Sequence, residues 1–202
     1  NAVPTYCNPT RVAFGQHCPI SPFDIQAMNA TVANPAVTDT TRLFEGIGRI
    51  VVSFQQVEQW LAEVLAMLLR MREKDDQFLV SAAMSFGQKV DLLVELYPKR
   101  KTAHLKDVDL MVVKNALATA EEFRNRVVHS FWAIECADET RWIRIKGSLR
   151  GRKGLKLTKS RANIEMLHEC DCALMVIREW MLKDTSKIEA ATATLKAYMS
   201  DG

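Results

Sequence analysis

No stretch of this sequence approaches the ~18 consecutive apolar residues that a membrane-spanning helix requires. The longest apolar segments are broken by charge, at Glu58, Glu63 and Arg70, so no membrane partner is expected. The start has no basic segment followed by an apolar core, the pattern of a secretory signal. Cysteine is sparse and unpaired in pattern: Cys7, Cys18, Cys136, Cys170 and Cys172 are odd in number and form no Cys-x-x-Cys. That fits reduced thiols in a cytoplasm better than a disulfide framework. His168 lies near Cys170 and Cys172, but the paired ligand spacing of a zinc site is missing. Ordinary small residues on a helix, and no metal, are expected there. A Gly-x-x-x-x-Gly-Lys-Ser/Thr loop is also absent, which excludes a P-loop nucleotidase, and no cofactor is expected.

Proline nearly vanishes after the first 40 residues, which hold five of the six. Residues 1–40, rich in Thr and Asn as well, read as an irregular N-terminal arm. The sequence Asn29-Ala-Thr31 matches a glycosylation acceptor; without an export signal it reads as chance. Helical periodicity then takes over. Leu43, Ile47, Ile50, Phe54, Val57, Leu61, Leu65 and Leu68 recur at three- and four-residue steps, the signature of a long amphipathic helix starting near Asp39. A second helix is expected over 78–96, stopping before Pro98. A third is expected over about 107–134, with Leu110, Val113, Leu117, Ala120, Phe123 and Val127 as its buried seam. A fourth is expected over 163–183 and a shorter one over 186–199. Between the third and fourth, Trp142-Ile-Arg-Ile-Lys146 and Leu155-Lys-Leu-Thr-Lys159 alternate with period two, separated by Gly147, Gly151 and Gly154. This spacing predicts a β-hairpin. The fold expected is all-α: an antiparallel four-helix bundle over 41–202 with a basic hairpin inserted at about 140–160.

Acidic residues are absent from Arg141 through Arg161, while Arg141, Arg144, Lys146, Arg150, Arg152, Lys153, Lys156, Lys159 and Arg161 supply nine positive charges there. The whole chain is only +3, so everything outside this element is net negative. Phosphate binding needs such local clustering more than a high overall charge. Trp142 offers a face on which an unpaired base can stack. The competing reading is a solvated hairpin whose lysines and arginines keep its edges from aggregating.

The one motif suggestive of chemistry is Arg124-Asn-Arg-Val-Val-His129, at the end of the expected third helix. At ~100° per residue Asn125 and His129 share a face, with Arg126 beside them and Glu122 one turn earlier. Arg124 lies about 140° around the helix from His129, so one straight helix cannot aim both squarely into one pocket. A second copy facing it across a dimer two-fold removes the difficulty. These residue types suit metal-independent RNA cleavage. A histidine exchanges protons with a ribose 2′-hydroxyl or a leaving oxygen near neutral pH. An arginine grips a phosphate and stabilises the extra charge of the transition state, and an asparagine orients either group. The competing reading makes Arg124 a surface ion-pair partner and His129 a helix-terminus cation. Ser130 points ~100° away from His129 and is no convincing nucleophile.

Arg124-Asn-Arg-Val-Val-His129 resembles the Arg-x(4–6)-His signature of the HEPN superfamily, whose pattern favours a polar residue directly after the arginine, as at Asn125. The position late on a third long helix is similar too, and the resemblance spans roughly residues 40–183. It implies a helical bundle that forms a homodimer, with motifs of two subunits lining one cleft. In active members that cleft is a metal-independent endoribonuclease, and many such proteins are toxins or defence effectors. Others have lost catalysis and bind RNA or a protein partner. Carried over by residue, Arg124 contacts phosphate, His129 is the acid–base group and Asn125 the polar helper. RNA binding is expected from Arg126, Arg141, Trp142, Arg144, Lys146, Arg150, Arg152, Lys153 and Lys156. Toxin members held by a nucleotidyltransferase antitoxin carry a modified tyrosine two residues after the histidine. Here that position is Phe131, which lacks the hydroxyl. An antitoxin or regulatory protein of another kind stays among the partners the resemblance implies.

Overall fold

A computed structural model describes residues 35–73, 78, 82–100, 108–135, 138–149 and 155–200. The protein is mostly helical, with five helices and one small antiparallel sheet among these residues. In chain order they are α1 (Pro35–Leu69), α2 (Phe86–Arg100), α3 (Leu110–Val128), β1 (Phe131–Glu135), β2 (Asp138–Leu149), β3 (Leu155–Arg161), α4 (Ile164–Arg178) and α5 (Thr185–Ser200). None of the described helices is long and apolar enough to cross a membrane.

Helix α1 has 35 residues and so runs about 50 Å. It opens on Pro35, whose missing N–H is no loss in a first turn, and takes in residues the proline-rich arm was expected to hold. Its stripe Leu43, Ile50, Phe54, Val57, Leu61, Val64 and Leu68 is buried, which places this face at the core. The helix ends on Arg70 in the left-handed region, φ 57°. The Met71 N–H donates to the Ala66 carbonyl at 3.0 Å and the Arg70 N–H to Met67 at 3.1 Å, the pairing that closes a helix C-terminus when one residue turns left-handed.

The other helices pack onto this rod. Helix α4 lies along α1, and a Cβ at Gly46 would stand 3.2 Å from Leu167 Cδ1, so glycine permits the close crossing. Ser53 on α1 donates a short hydrogen bond to Asp171 on α4. Helix α2 is pinned to α1 by Lys89, itself buried, whose ammonium meets Glu58 at 2.8 Å. The expected 78–96 helix is interrupted: Phe78, Ala82 and Ala83 are helical, Met84 and Ser85 break the run, and α2 then continues through Pro98 to Arg100. Pro98 sits in the last turn, where its ring forgoes the backbone bond to the carbonyl one turn earlier. Helix α5 packs on α3 and α4, with Tyr198 meeting Phe123 edge-on at 5.3 Å. Trp180, at the end of α4, meets Tyr97 of α2 at 5.7 Å.

The expected hairpin is part of a three-stranded sheet in the order β1-β2-β3. The third helix stops at Val128, not Ile134, and Phe131–Glu135 forms a strand instead. Its partners are on β2, with Phe131 opposite Ile145 and Ala133 opposite Ile143. On the far side Ile145 pairs with Lys159 and Ile143 with Arg161. Alternation therefore gives the sheet one face with Trp132, Trp142, Arg144 and Ser160 and another with Phe131, Ile143, Ile145, Lys159 and Arg161. The first packs against the helical core, since Trp132 and Trp142 touch it and Arg144 is buried.

Candidate active site at the end of helix α3

The last turn of α3 is finished by the residues that follow it. The His129 N–H donates to Asn125 O at 3.0 Å, the Ser130 hydroxyl donates to Arg126 O, and Trp132 Nε1 donates to Val127 O at 3.1 Å. Three orphan carbonyls of the helix end are thereby satisfied. His129 is the capping residue, φ −97° and ψ 11°, held between a finished helix and a strand that starts two residues later. Its imidazole is exposed and has no partner among the described residues.

Arg124 lies in the preceding turn and is half-buried. Its guanidinium carbon stands 4.5 Å from the centroid of the Phe54 ring on α1, within cation–π range. Phe54 in turn meets Phe86 at 4.9 Å. Arg124 Nε is buried with no hydrogen-bond acceptor among the described residues. Asn125 is half-buried. Arg124 and His129 thus lie on consecutive turns, one resting on the α1 core face and the other in solvent.

The residues expected to bind RNA divide sharply. Arg126 is engaged by protein: its guanidinium bonds Glu122 at 2.6 Å and donates to the Met199 carbonyl at 2.8 Å, tying α3 to the last turn of α5. Arg144 is 7% exposed; its guanidinium carbon lies 5.0 Å from the Tyr198 ring centroid and its Nε donates to Ser160 Oγ at 3.2 Å. Among the described residues no carboxylate pairs with it, and one terminal nitrogen is buried without a partner. Trp142 also turns inward, with Nε1 donating to Thr40 Oγ1 at 3.3 Å and its ring edge-on to Phe44 at 5.8 Å. Lys146 is exposed. The side chains of Arg141 and Lys156, and residues Arg150, Arg152 and Lys153, lie outside the described set.

Burial decides two acid–base properties nearby. The Tyr198 phenol is pushed from 10.0 to about 12 by desolvation, against which the adjacent Arg144 charge pulls more weakly. The Cys170 thiol rises from 9.0 to about 12, first through desolvation and then through Glu169. Cys172, two residues on, is exposed. Among the described residues no group of three or more His, Cys, Asp or Glu side chains gathers to hold a metal. Grooves of about 360 and 390 Å³ lie along α1 and α4, the first lined by Arg42, Arg49 and His168 and the second by Gln56, Trp60 and Arg178. Neither includes a motif residue.

Sequence reasoning placed Phe131 on the third helix, whereas it starts a strand. It is 68% exposed on the outward face of the sheet, two residues beyond His129. The signal available was the aromatic and β-branched run Phe-Trp-Ala-Ile after His-Ser, which favours a strand. Comparison with known proteins returns no matching family model, no matching curated protein and no matching solved structure.

Proposed function

We propose that this chain is an HEPN-like, metal-independent endoribonuclease for single-stranded RNA, an antiparallel helical bundle whose site is completed by a second copy. The supporting observation is His129: an exposed imidazole with no partner among the described residues, on a capped helix end, one turn beyond Arg124 and Asn125. The imidazole removes the proton of a ribose 2′-hydroxyl, whose oxygen attacks the adjacent phosphorus. The 5′-oxygen leaves and takes a proton, and the product is a 2′,3′-cyclic phosphate. Arg124 stabilises the pentacovalent phosphorane, and Asn125 orients it or the imidazole. Purified protein is expected to cleave single-stranded RNA in EDTA and to leave DNA intact, since DNA lacks the nucleophile. His129→Ala is expected to lower the rate ~10²–10⁴-fold. Cleavage that survives both His129→Ala and Arg124→Ala would belong to a contaminant and end the assignment.

A second reading draws on Arg124 itself. Its guanidinium rests on Phe54, with a buried Nε that has no acceptor among the described residues, which suits a structural arginine in a non-catalytic module that binds RNA or protein. That reading predicts RNA binding without any EDTA-resistant cleavage.

A further inference from the structure

We propose that the outward face of the sheet is a stacking platform for single-stranded RNA, with Phe131 as the ring under a base and Lys159 and Arg161 as its phosphate contacts. The proposal rests on the RNA reading above but not on catalysis. The register sets the geometry. One row across the sheet runs Phe131, Ile145, Lys159 and the next runs Ala133, Ile143, Arg161. Neighbouring strands are ~4.8 Å apart, so the backbones of Phe131 and Lys159 are about 10 Å apart. A base on the ring therefore leaves its phosphate within reach of a lysine or arginine side chain.

Three features favour nucleic acid on this face. Phe131 is 68% exposed and stays off the core, whereas the neighbouring Trp132 packs onto it. An apolar residue in that position on an outer strand is an aggregation hazard that proteins ordinarily blunt with charge. Stacking against a base gives the ring an occupant that tolerates any sequence. The only charges in the two rows are Lys159 and Arg161, both exposed, which match a polyanion. His129, also exposed, precedes Phe131 by two residues in the chain, so the proposed platform starts next to the candidate acid–base group. Trp142, the aromatic expected to stack, is turned inward onto Thr40 and Phe44; Phe131 takes over that role.

The test uses the full chain and a single-stranded 2′-O-methyl RNA carrying 2-aminopurine, which binds without supplying the cleavage nucleophile. Wild type should quench the fluorescent base. Phe131→Ala should abolish the quench and weaken binding about 10-fold, while Phe131→Trp retains both. Reversing Lys159 and Arg161 to Glu should flatten the logarithmic salt dependence by ~1–2. Wild-type affinity and quench in Phe131→Ala would overturn the platform. So would a change of sedimentation in that variant with RNA binding intact, which would make the face a protein interface. Wild type that binds and quenches but never cleaves natural RNA would sink the ribonuclease reading and leave the platform standing.

Discussion

The Arg124 guanidinium carbon lies 4.5 Å from the centre of the Phe54 ring, so a residue expected to hold phosphate is also part of how α3 meets α1. Phe54 is 2% exposed, and a cation over a largely desolvated ring is worth about 1–2 kcal/mol. Arg124→Ala is therefore expected to destabilise the fold as well as to slow cleavage. A double-mutant cycle of Arg124→Ala with Phe54→Leu, followed by urea unfolding, should give a coupling of about 0.5–2 kcal/mol. Additive losses would mean that the stacked arrangement contributes nothing to stability.

Among the described residues, Arg144 under the sheet is met by Ser160 and the Tyr198 side chain but by no carboxylate. Burying a guanidinium with no carboxylate beside it is costly, and a well-packed apolar replacement is often neutral or stabilising. Arg144→Met is expected to keep or raise the melting temperature, whereas Arg144→Ala, which opens a cavity, should cost about 2–4 kcal/mol. Lys146→Ala, on the exposed next position of that face, should fall within about ±0.5 kcal/mol. An equal loss in the Met and Ala variants at 144 would show that the charge itself is needed.

The helical part of the fold was legible because its stripes are long: eight apolar residues from Leu43 to Leu68 keep a three- or four-residue step, which a strand cannot match. The end of α3 was not. Phe123, Val127, Phe131 and Ile134 continue the same step, so periodicity alone carries the helix six residues too far. What closes it is a local cap that an apolar step does not encode: Ser130 and Trp132 turn back onto the last carbonyls. Period two in Trp142-Ile-Arg-Ile-Lys146 located a strand but not its inner face. The isoleucines look like the buried set, yet Trp142 and Arg144 face the core, because Thr40 and Tyr198 give their polar ends partners. Of the candidate site, spacing led to the expectation that Asn125 and His129 share a helix face, and the structure makes His129 the cap just past that helix. Spacing contained nothing about Phe54 under Arg124, a contact between residues 70 positions apart.

Alkaline pH should unfold the protein through two buried acids. Tyr198 and Cys170 are both raised to about 12, so folding favours their neutral forms. Their contribution is fully present below the unfolded values of 10.0 and 9.0 and is lost as pH rises through about 12. Stability is expected to be insensitive to these groups at neutral pH and to fall from about pH 9 upward. Cys170→Ala and Tyr198→Phe should each shallow that decline. A thiol reagent should find Cys172 in the native protein, seen as the difference from Cys172→Ser, and reach Cys170 only on unfolding. Native labelling of Cys170 would contradict its burial.

The proposed composite site makes its own prediction about mixed dimers. Arg124 and His129 lie on consecutive turns about 140° apart around α3, so a cleft drawing an arginine from one copy and a histidine from the other relieves the geometry of a single helix. Sedimentation at micromolar concentration should report twice the chain mass. His129→Ala and Arg124→Ala dimers should each be inactive alone. After mixing and subunit exchange, about half the dimers hold one of each. Every such dimer retains one intact arginine and one intact histidine, placed on opposite copies. EDTA-resistant cleavage should then rise about 10-fold or more above either parent, since the rate each single loss removes is ~10²-fold or greater. Mixing Arg124→Ala with itself gives no such recovery. A site contained within one protomer predicts none in the mixture either, because every copy lacks one of the two groups. Proven exchange without recovered cleavage would therefore reject the shared cleft while leaving a single-chain site open to test by His129→Ala alone.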